Sequence, residues 1–466
     1  LVVISGIGIN VLPKAIARIW RHPELLPRLG DLRWLVRVLK TPLRAVLILV
    51  TVLAIVGAGI VAMPPPTGLE PGEIVVMTAF GEGPADPRNV LFRQWSQSHP
   101  DNPVRVIAVP GEPDSQNERM VNDAKPGGKR EADVYVLDLV WMPQFVDNGY
   151  VRDLGRRASL PEADSGDFIP SVLETCTRNE KLWGLPFNTD AGLIYYRTDV
   201  PGVAKPEEWD DYFGQSAKAT ASAVKAGPYG IKAANAAQLA DEEVLTVTAL
   251  EAIWAAGGKM VTESGDLTLN EDENAVYLSA EDLKGIENLA IASKDADVVL
   301  TENDTAAKSA ENGAVASFQA GATLFMRNWP VATDTLRKGV EYNVTTSLTP
   351  TVLGGQNLAI SAKSDEDAKP RAARALVDFL TSRSSQLILS DMGSLAPTRQ
   401  STYRDGKRVD GPVLQTAVNR AWQRPKTPHY PHFSRVFRTG IARALNNGGK
   451  VEPSFGRDLY EAWHGR

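Results

Sequence analysis

The chain is 466 residues long, 43% apolar and 23% charged, an ordinary globular composition over a length that exceeds one core and points to two or more lobes. Its net charge of −6 is unevenly spread: residues 1–44 hold +6, from Lys14, Arg18, Arg21, Arg28, Arg33, Arg37, Lys40 and Arg44 against Glu24 and Asp31, and the remainder holds −12. An acidic body excludes nucleic acid as a partner, because phosphate binding runs on lysine and arginine.

In chain order, residues 1–44 form a basic stub in which Ile16, Ile19, Trp20, Leu25, Leu29, Leu32 and Val36 alternate with arginine at helical spacing, as an amphipathic helix on anionic lipid would. The chain opens on Leu1 rather than Met, which reads as the tail of something longer or as a misassigned start. Ala45–Met63 follows without a charge. At 1.5 Å per residue its length of about 28 Å matches the roughly 30 Å hydrocarbon core, so a single transmembrane signal anchor is expected, with the N-terminus inside. A cleaved signal stays open, since Val56-Gly57-Ala58 has the small residues a peptidase needs. The one cysteine, Cys176, lies far downstream, so neither a lipid anchor nor an internal disulfide is available. Residues 64–72, opened by Pro64-Pro65-Pro66, read as an extended linker.

Glu73–Phe80 (strand), Asn89–Ser98 (helix), Val104–Val109 (strand), Gln116–Asp123 (helix) and Asp133–Val140 (strand) then predict a β-α-β-α-β run. Such alternation implies a parallel sheet whose ligands bind beyond the carboxyl ends of its strands. Phe80 and Glu82 stand at one such end, Asp138 and Trp141 at another. A carboxylate beside an aromatic suits a sugar, whose hydroxyls bond the acid and whose C–H face covers the ring. The other reading of Trp141 is a side chain that starts the next helix and fills core. In Lys181–Val200, apolar Leu182, Trp183 and Leu185 run through Pro186 to Asn188, Thr189 and Asp190, and the chain leaves through Gly192 as an apolar strand. Polar groups are thereby presented between two buried pieces, to a cleft or to their own turn.

From Pro201 to Pro350 the chain is helix-rich, with amphipathic helices expected over Glu242–Ala256 and Glu281–Ser293. Phe325–Pro330 gathers Arg327, Asn328 and Trp329. Leu353–Ser361 is a glycine turn into a strand, and Pro370–Thr381 a helix with Ala373, Leu376, Val377 and Leu380 on one face. Motifs for chemistry are absent: there is no GxSxG, GxxxxGK[ST] or complete GxGxxG. The only ligand-like histidine spacing, His429 to His432, contains Pro431, so no metal is expected. Nothing in the chain calls for a cofactor or for enzymatic activity.

GLPFNTDAGLIYYRTDV from Gly184, VYVLDLVWMPQFVDNGYVRDL from Val134, FMRNWPVA from Phe325 and LGGQNLAISAKS from Leu353 resemble, in the same order, segments of the family 1 extracellular solute-binding proteins. These are the sugar-binding receptors of ABC importers related to the maltose and trehalose binders. The resemblance covers about residue 73 to the end. It implies an α/β, two-lobe periplasmic-binding-protein type II fold with hinge crossovers near Thr189, Thr349 and Leu395. One lobe would take residues 73–189 and 349–395, the other 190–348 and 396–466. It also implies a pocket that draws on Asn188, Asp190, Arg327, Trp329 as an aromatic floor, Gly355 and Gln356, an ABC permease as partner, and an extracellular binding domain on the cell membrane. Many relatives carry an aromatic in the GG-x-N turn where this chain has Gln356, so the ligand is left open as a smaller saccharide or a different solute. Two functions stand at this point: a non-catalytic receptor that hands a small solute to an importer, and an extracellular sensor with the same fold that signals to a cytosolic domain.

Overall fold

The structure is a computed structural model that describes residues 68–79, 86–300, 310–336, 339–346, 349–364, 367–393 and 395–466. Except for Gly68, these belong to one unit, Leu69–Arg466. The basic stub, the apolar run 45–63 and linker residues 64–67 lie outside the described residues. Among those described, no helix is long and apolar enough to cross a membrane.

The first sheet starts from β1 (Ile74–Thr78), every residue of which is buried, as a central strand covered on both faces requires. Helix α1 (Pro87–Ser98) opens on Asp86, whose carboxylate accepts from the Arg88 amide, with Pro87 preset for the first turn. It buries Leu91, Phe92 and Trp95. Strand β2 (Val104–Ala108), helix α2 (Pro113–Ala124) and strand β3 (Val134–Asp138) complete the alternation, and both β2 and β3 run parallel to β1. The carboxyl ends of these strands therefore share one edge.

β4 (Leu185–Ala191) belongs to this sheet, whereas β5 (Leu193–Arg197) belongs to a second one, so the chain changes sheets across Gly192 alone. A Cβ at Gly192 would come 2.3 Å from Thr351 Oγ1 and 2.5 Å from an Arg327 guanidinium nitrogen; only glycine fits this crossing. The second sheet takes its next strand from β6 (Ala233–Ala236). Helices α3 (Glu243–Ala255) and α4 (Ala280–Ser293) follow, then β7 (Val299–Leu300), α5 (Ala310–Gln319), β8 (Thr323–Asn328) and β9 (Tyr342–Thr345), and the strand order is β7-β6-β8-β5-β9. α4 carries a capping box: Ser279 Oγ accepts from the Asp282 amide at 3.1 Å and Asp282 Oδ2 accepts from the Ser279 amide at 2.8 Å. α3 differs from the amphipathic helix expected there. Every residue from Val244 to Trp254 is buried, because the helix packs against α4 and against the C-terminal helix Tyr430–Asn446.

β10 (Leu353–Ile360) returns the chain to the first sheet, inserting antiparallel between β3 and β4 to give the order β2-β1-β3-β10-β4. Helices α6 (Pro370–Leu380) and α7 (Arg383–Gly393) cover it, and the chain beyond them stays beside β4, where the Ala396 carbonyl accepts from the Thr189 amide at 2.9 Å and Ser401 Oγ donates to Asp167 at 2.8 Å. Helices α8 (Gly411–Arg420), α9 (Tyr430–Asn446) and α10 (Phe455–Trp463) end the chain, with Phe433, Phe437, Ile441, Phe455 and Leu459 in the apolar core of the second lobe. A separate apolar cluster passes between the lobes, joining Tyr135, Leu137 and Phe145 to Leu193, Tyr195 and Met326. The result is two α/β lobes, between which the chain passes at Gly192 and again before β10.

Candidate functional site

Cross-strand register assembles the wall of the first lobe. Gln356 on β10 stands opposite Asp138 on β3 and opposite Asn188 on β4, and Gly354 stands opposite Asp190. Paired residues in a sheet project from the same face, so Asp138, Gln356 and Asn188 form one polar row. Gly355 keeps β10 close to its neighbour: its φ is +123°, and a Cβ there would lie 2.4 Å from the Asn188 carbonyl oxygen. The row borders an open cleft of about 1590 Å³ counted to its mouth, whose opposite wall is second-lobe Glu242, Glu243, Glu311 and Trp329.

Trp329 follows β8 directly. Its Nε1 donates to Glu311 Oε1 at 2.5 Å, which fixes the ring, and both residues line the cleft. Arg327 is not a ligand-facing residue as the sequence implied. It is buried, donates to both oxygens of Glu251 at 3.0 and 2.6 Å, and lies 4.1 Å from the Trp329 ring centroid. Glu251 also accepts from Thr351 Oγ1 at 2.5 Å and from the Val352 amide at 3.0 Å. This network ties the floor under Trp329 to the second crossing. Trp141 is likewise corrected: it is 4% exposed, closes a single 3₁₀ turn after β3 and packs in the apolar cluster between the lobes. Asp138 caps that turn by accepting from the Val140 amide at 3.2 Å, so the turn aims the ring inward. Phe80 and Glu82 lie outside the described residues. Asp138, Asn188, Asp190, Trp329, Gly355 and Gln356 come together around the one cleft.

Among the described residues the cleft is lined by six carboxylates, Glu112, Asp138, Asp190, Glu242, Glu243 and Glu311, and two guanidinium groups, Arg88 and Arg424. Burial pushes Asp190 up to about 7, against the pull of Arg88 and Arg408, with Asp138 and Glu311 adding to the rise. Burial also raises Asp138 and Glu311, although Arg424 opposes it at the first and the Trp329 N–H at the second. Asn188, 3% exposed, donates from Nδ2 to Asp190 at 3.4 Å and leaves Oδ1 without a hydrogen-bond partner, as Gln356 leaves Oε1. Buried acceptors without donors are costly in an empty site and are satisfied by a ligand's hydroxyl or N–H groups.

Arg424 lines the cleft as well, and the sequence reading missed it. It is fixed on the second lobe, where the amides of its neighbours Gln423 and Lys426 donate to Glu263 and Gly265 carbonyls, and it reaches Asp138 of the first lobe and Glu243 of the second at 2.8 Å each. Burial would depress it, but Asp138, Tyr430 and Glu243 hold it above its ordinary value. A second ion pair between the lobes joins Arg438 on α9 to Asp114 on α2 at 2.9 Å. Only Pro425, next in the chain, marked this stretch as irregular, and nothing local announced a bridge between lobes.

The profile of the bacterial extracellular solute-binding proteins matches residues 92–416. A probable ABC transporter-binding protein of Deinococcus radiodurans is 29% identical over 321 residues, 65% of this chain and 71% of the relative. Among solved structures, the maltose-bound MalE3 of T. maritima superposes with a TM-score of 0.68 at 24% identity, over 84% of this chain and 99% of that one. An ABC transporter solute-binding protein of Thermotoga lettingae bound with alpha-D-tagatose gives 0.66 at 18%, over 84% and 99%. At these identities the likeness establishes the two-lobe α/β fold.

Proposed function

We propose that this chain, which belongs to the bacterial extracellular solute-binding proteins, captures a saccharide in the cleft between its lobes and presents it to an ABC importer. The observation that carries the reading is the polar row Asp138, Gln356 and Asn188, continued by Asp190, in the same cleft as the Trp329 ring. Hydroxyl groups would donate to the carboxylates and to the free amide oxygens while a sugar's C–H face covers the indole. The lobes, residues 73–189 with 349–395 and 190–348 with 396–466, would turn about their crossings to enclose the solute. Ala45–Met63 would span the membrane, with the stub 1–44 inside and the linker 64–72 holding the binding domain outside. Binding and release, with no bond made or broken, is the whole of the proposed activity.

Calorimetric titration of the purified chain with mono- and oligosaccharides tests this. One sugar should bind, and Trp329→Ala should weaken it roughly ten- to a hundredfold and remove most of the ligand-induced tryptophan signal. Unchanged affinity in that variant would place the site elsewhere. Reporters fused after residue 72 and before residue 44 should report outside and inside respectively; the reverse pattern would refute the anchor.

A further inference from the structure

The cleft holds more negative charge than a neutral saccharide calls for. Part of it has local causes. Glu112 and Glu242 are the N-cap residues of α2 and α3, and Glu243 stands in the first turn of α3, where the helix dipole favours an acid. Asp138 and Glu243 also share the Arg424 guanidinium. Asp190 and Glu311 remain. Asp190 is on a strand, with only the Asn188 amide group as a hydrogen-bond donor, and Glu311 has only the Trp329 N–H as a side-chain donor. Among the described residues no ion pair reaches either of them: Arg88 and Arg408, which act on Asp190 from farther off, are paired with Asp86 and Asp410.

These two carboxylates stand close to one aromatic ring. A Cβ on Gly354 would lie 3.2 Å from the Asp190 Cβ and 3.2 Å from the edge of the Trp329 indole, whose Nε1 touches Glu311 at 2.5 Å. The guanidinium of Arg327 against the ring is neutralised by Glu251. Independently of the acids, the Oδ1 of the 97%-buried Asn188 lacks a donor in the same wall. A hydroxyl brings one donor and its own acceptors, whereas an ammonium brings three donors, no acceptor and a full positive charge, which an aromatic face also attracts.

We propose that the saccharide selected by this cleft carries a free ammonium group, seated against Trp329 between Asp190 and Glu311. The inference rests on the saccharide reading above and adds to it the class of sugar: an amino sugar, in preference to its neutral or N-acetylated counterpart. The raised Asp190 and Glu311 would release protons as the cation enters, and the −12 of the chain beyond residue 44 would draw the cation in.

The test uses the full chain and three matched series of two to four units: glucosamine oligosaccharides with free amines, their N-acetylated forms, and the corresponding glucose oligosaccharides. Calorimetry at low ionic strength should show the free-amine series binding at least tenfold more tightly than either of the others. Asp190→Asn combined with Glu311→Gln should reduce that preference to less than threefold, with melting curves confirming that the variant is folded. If the neutral series binds as tightly as the amine series, the ammonium site is overturned and the saccharide reading stands. If the preference survives in the double variant, these two carboxylates do not form the site. Binding by none of the three series would overturn the saccharide reading, and this inference with it.

Discussion

Asp190→Asn separates a binding residue from a structural one. Burial and the neighbouring carboxylates raise Asp190 to about 7, while an unfolded chain releases the same proton near 4. Between those values the folded protein holds a proton that the unfolded chain has lost. The wild-type chain therefore loses stability as pH rises from about 4 to about 7, and the loss is complete above that window. Three units correspond to about 4 kcal/mol at roughly 1.4 kcal/mol per unit. The carboxyl is only partly buried at the wall of an open cleft, so screening by water reduces this to about 1–2 kcal/mol. Asparagine keeps the shape and removes the charge. The variant should melt about 1–3 °C higher than the parent at pH 8, given the unfolding entropy of a chain of this size, and equally at pH 3.5, while its affinity for the best ligand falls. Melting curves across this pH range, with calorimetry at pH 8, measure both. A variant that melts lower than the parent at pH 8 would refute the reasoning, because Asp190 would then be holding its own strand together.

Arg424→Ala should cost about 3–5 kcal/mol, since it leaves Asp138 and Glu243 facing each other without their shared cation; a loss below about 1 kcal/mol in denaturant titration would show that the bridge does not hold the lobes. Gly355→Ala should cost about 2–4 kcal/mol, because φ of +123° and a 2.4 Å approach to the Asn188 carbonyl are both closed to a side chain. The same titration would count against the register if alanine were neutral there.

The β-α-β-α-β run before residue 140 is legible because each strand is a short apolar run bounded by turn residues, and local pattern suffices to place such elements. The antiparallel insertion of β10 between β3 and β4 is not, because its partners lie far away in the chain and only the assembled sheet sets Gln356 beside Asp138 and Asn188. Asp190 and Trp329 are readable as polar and aromatic groups at the ends of apolar strands. Arg327 misleads because its partner Glu251 is 76 residues upstream, so that a residue beside a tryptophan reads as a ligand donor when it is a buried support. Arg424 is invisible for the same reason, its bond to Asp138 spanning 286 residues. Trp141 is decided by the single 3₁₀ turn after β3, which the residue pattern does not announce and which buries the ring.

Closure of the lobes around the solute is the central claim, and the distance between them measures it. Exposed Glu118 on α2 and Arg435 on α9 flank the Asp114–Arg438 pair, and Cys176 is buried, so spin labels on Glu118→Cys and Arg435→Cys report on the two lobes alone. With saturating saccharide the distance distribution should shorten and narrow, and it should stay broad in Trp329→Ala at the same concentration. An unchanged distribution in a sample where calorimetry registers full binding would contradict capture between the lobes.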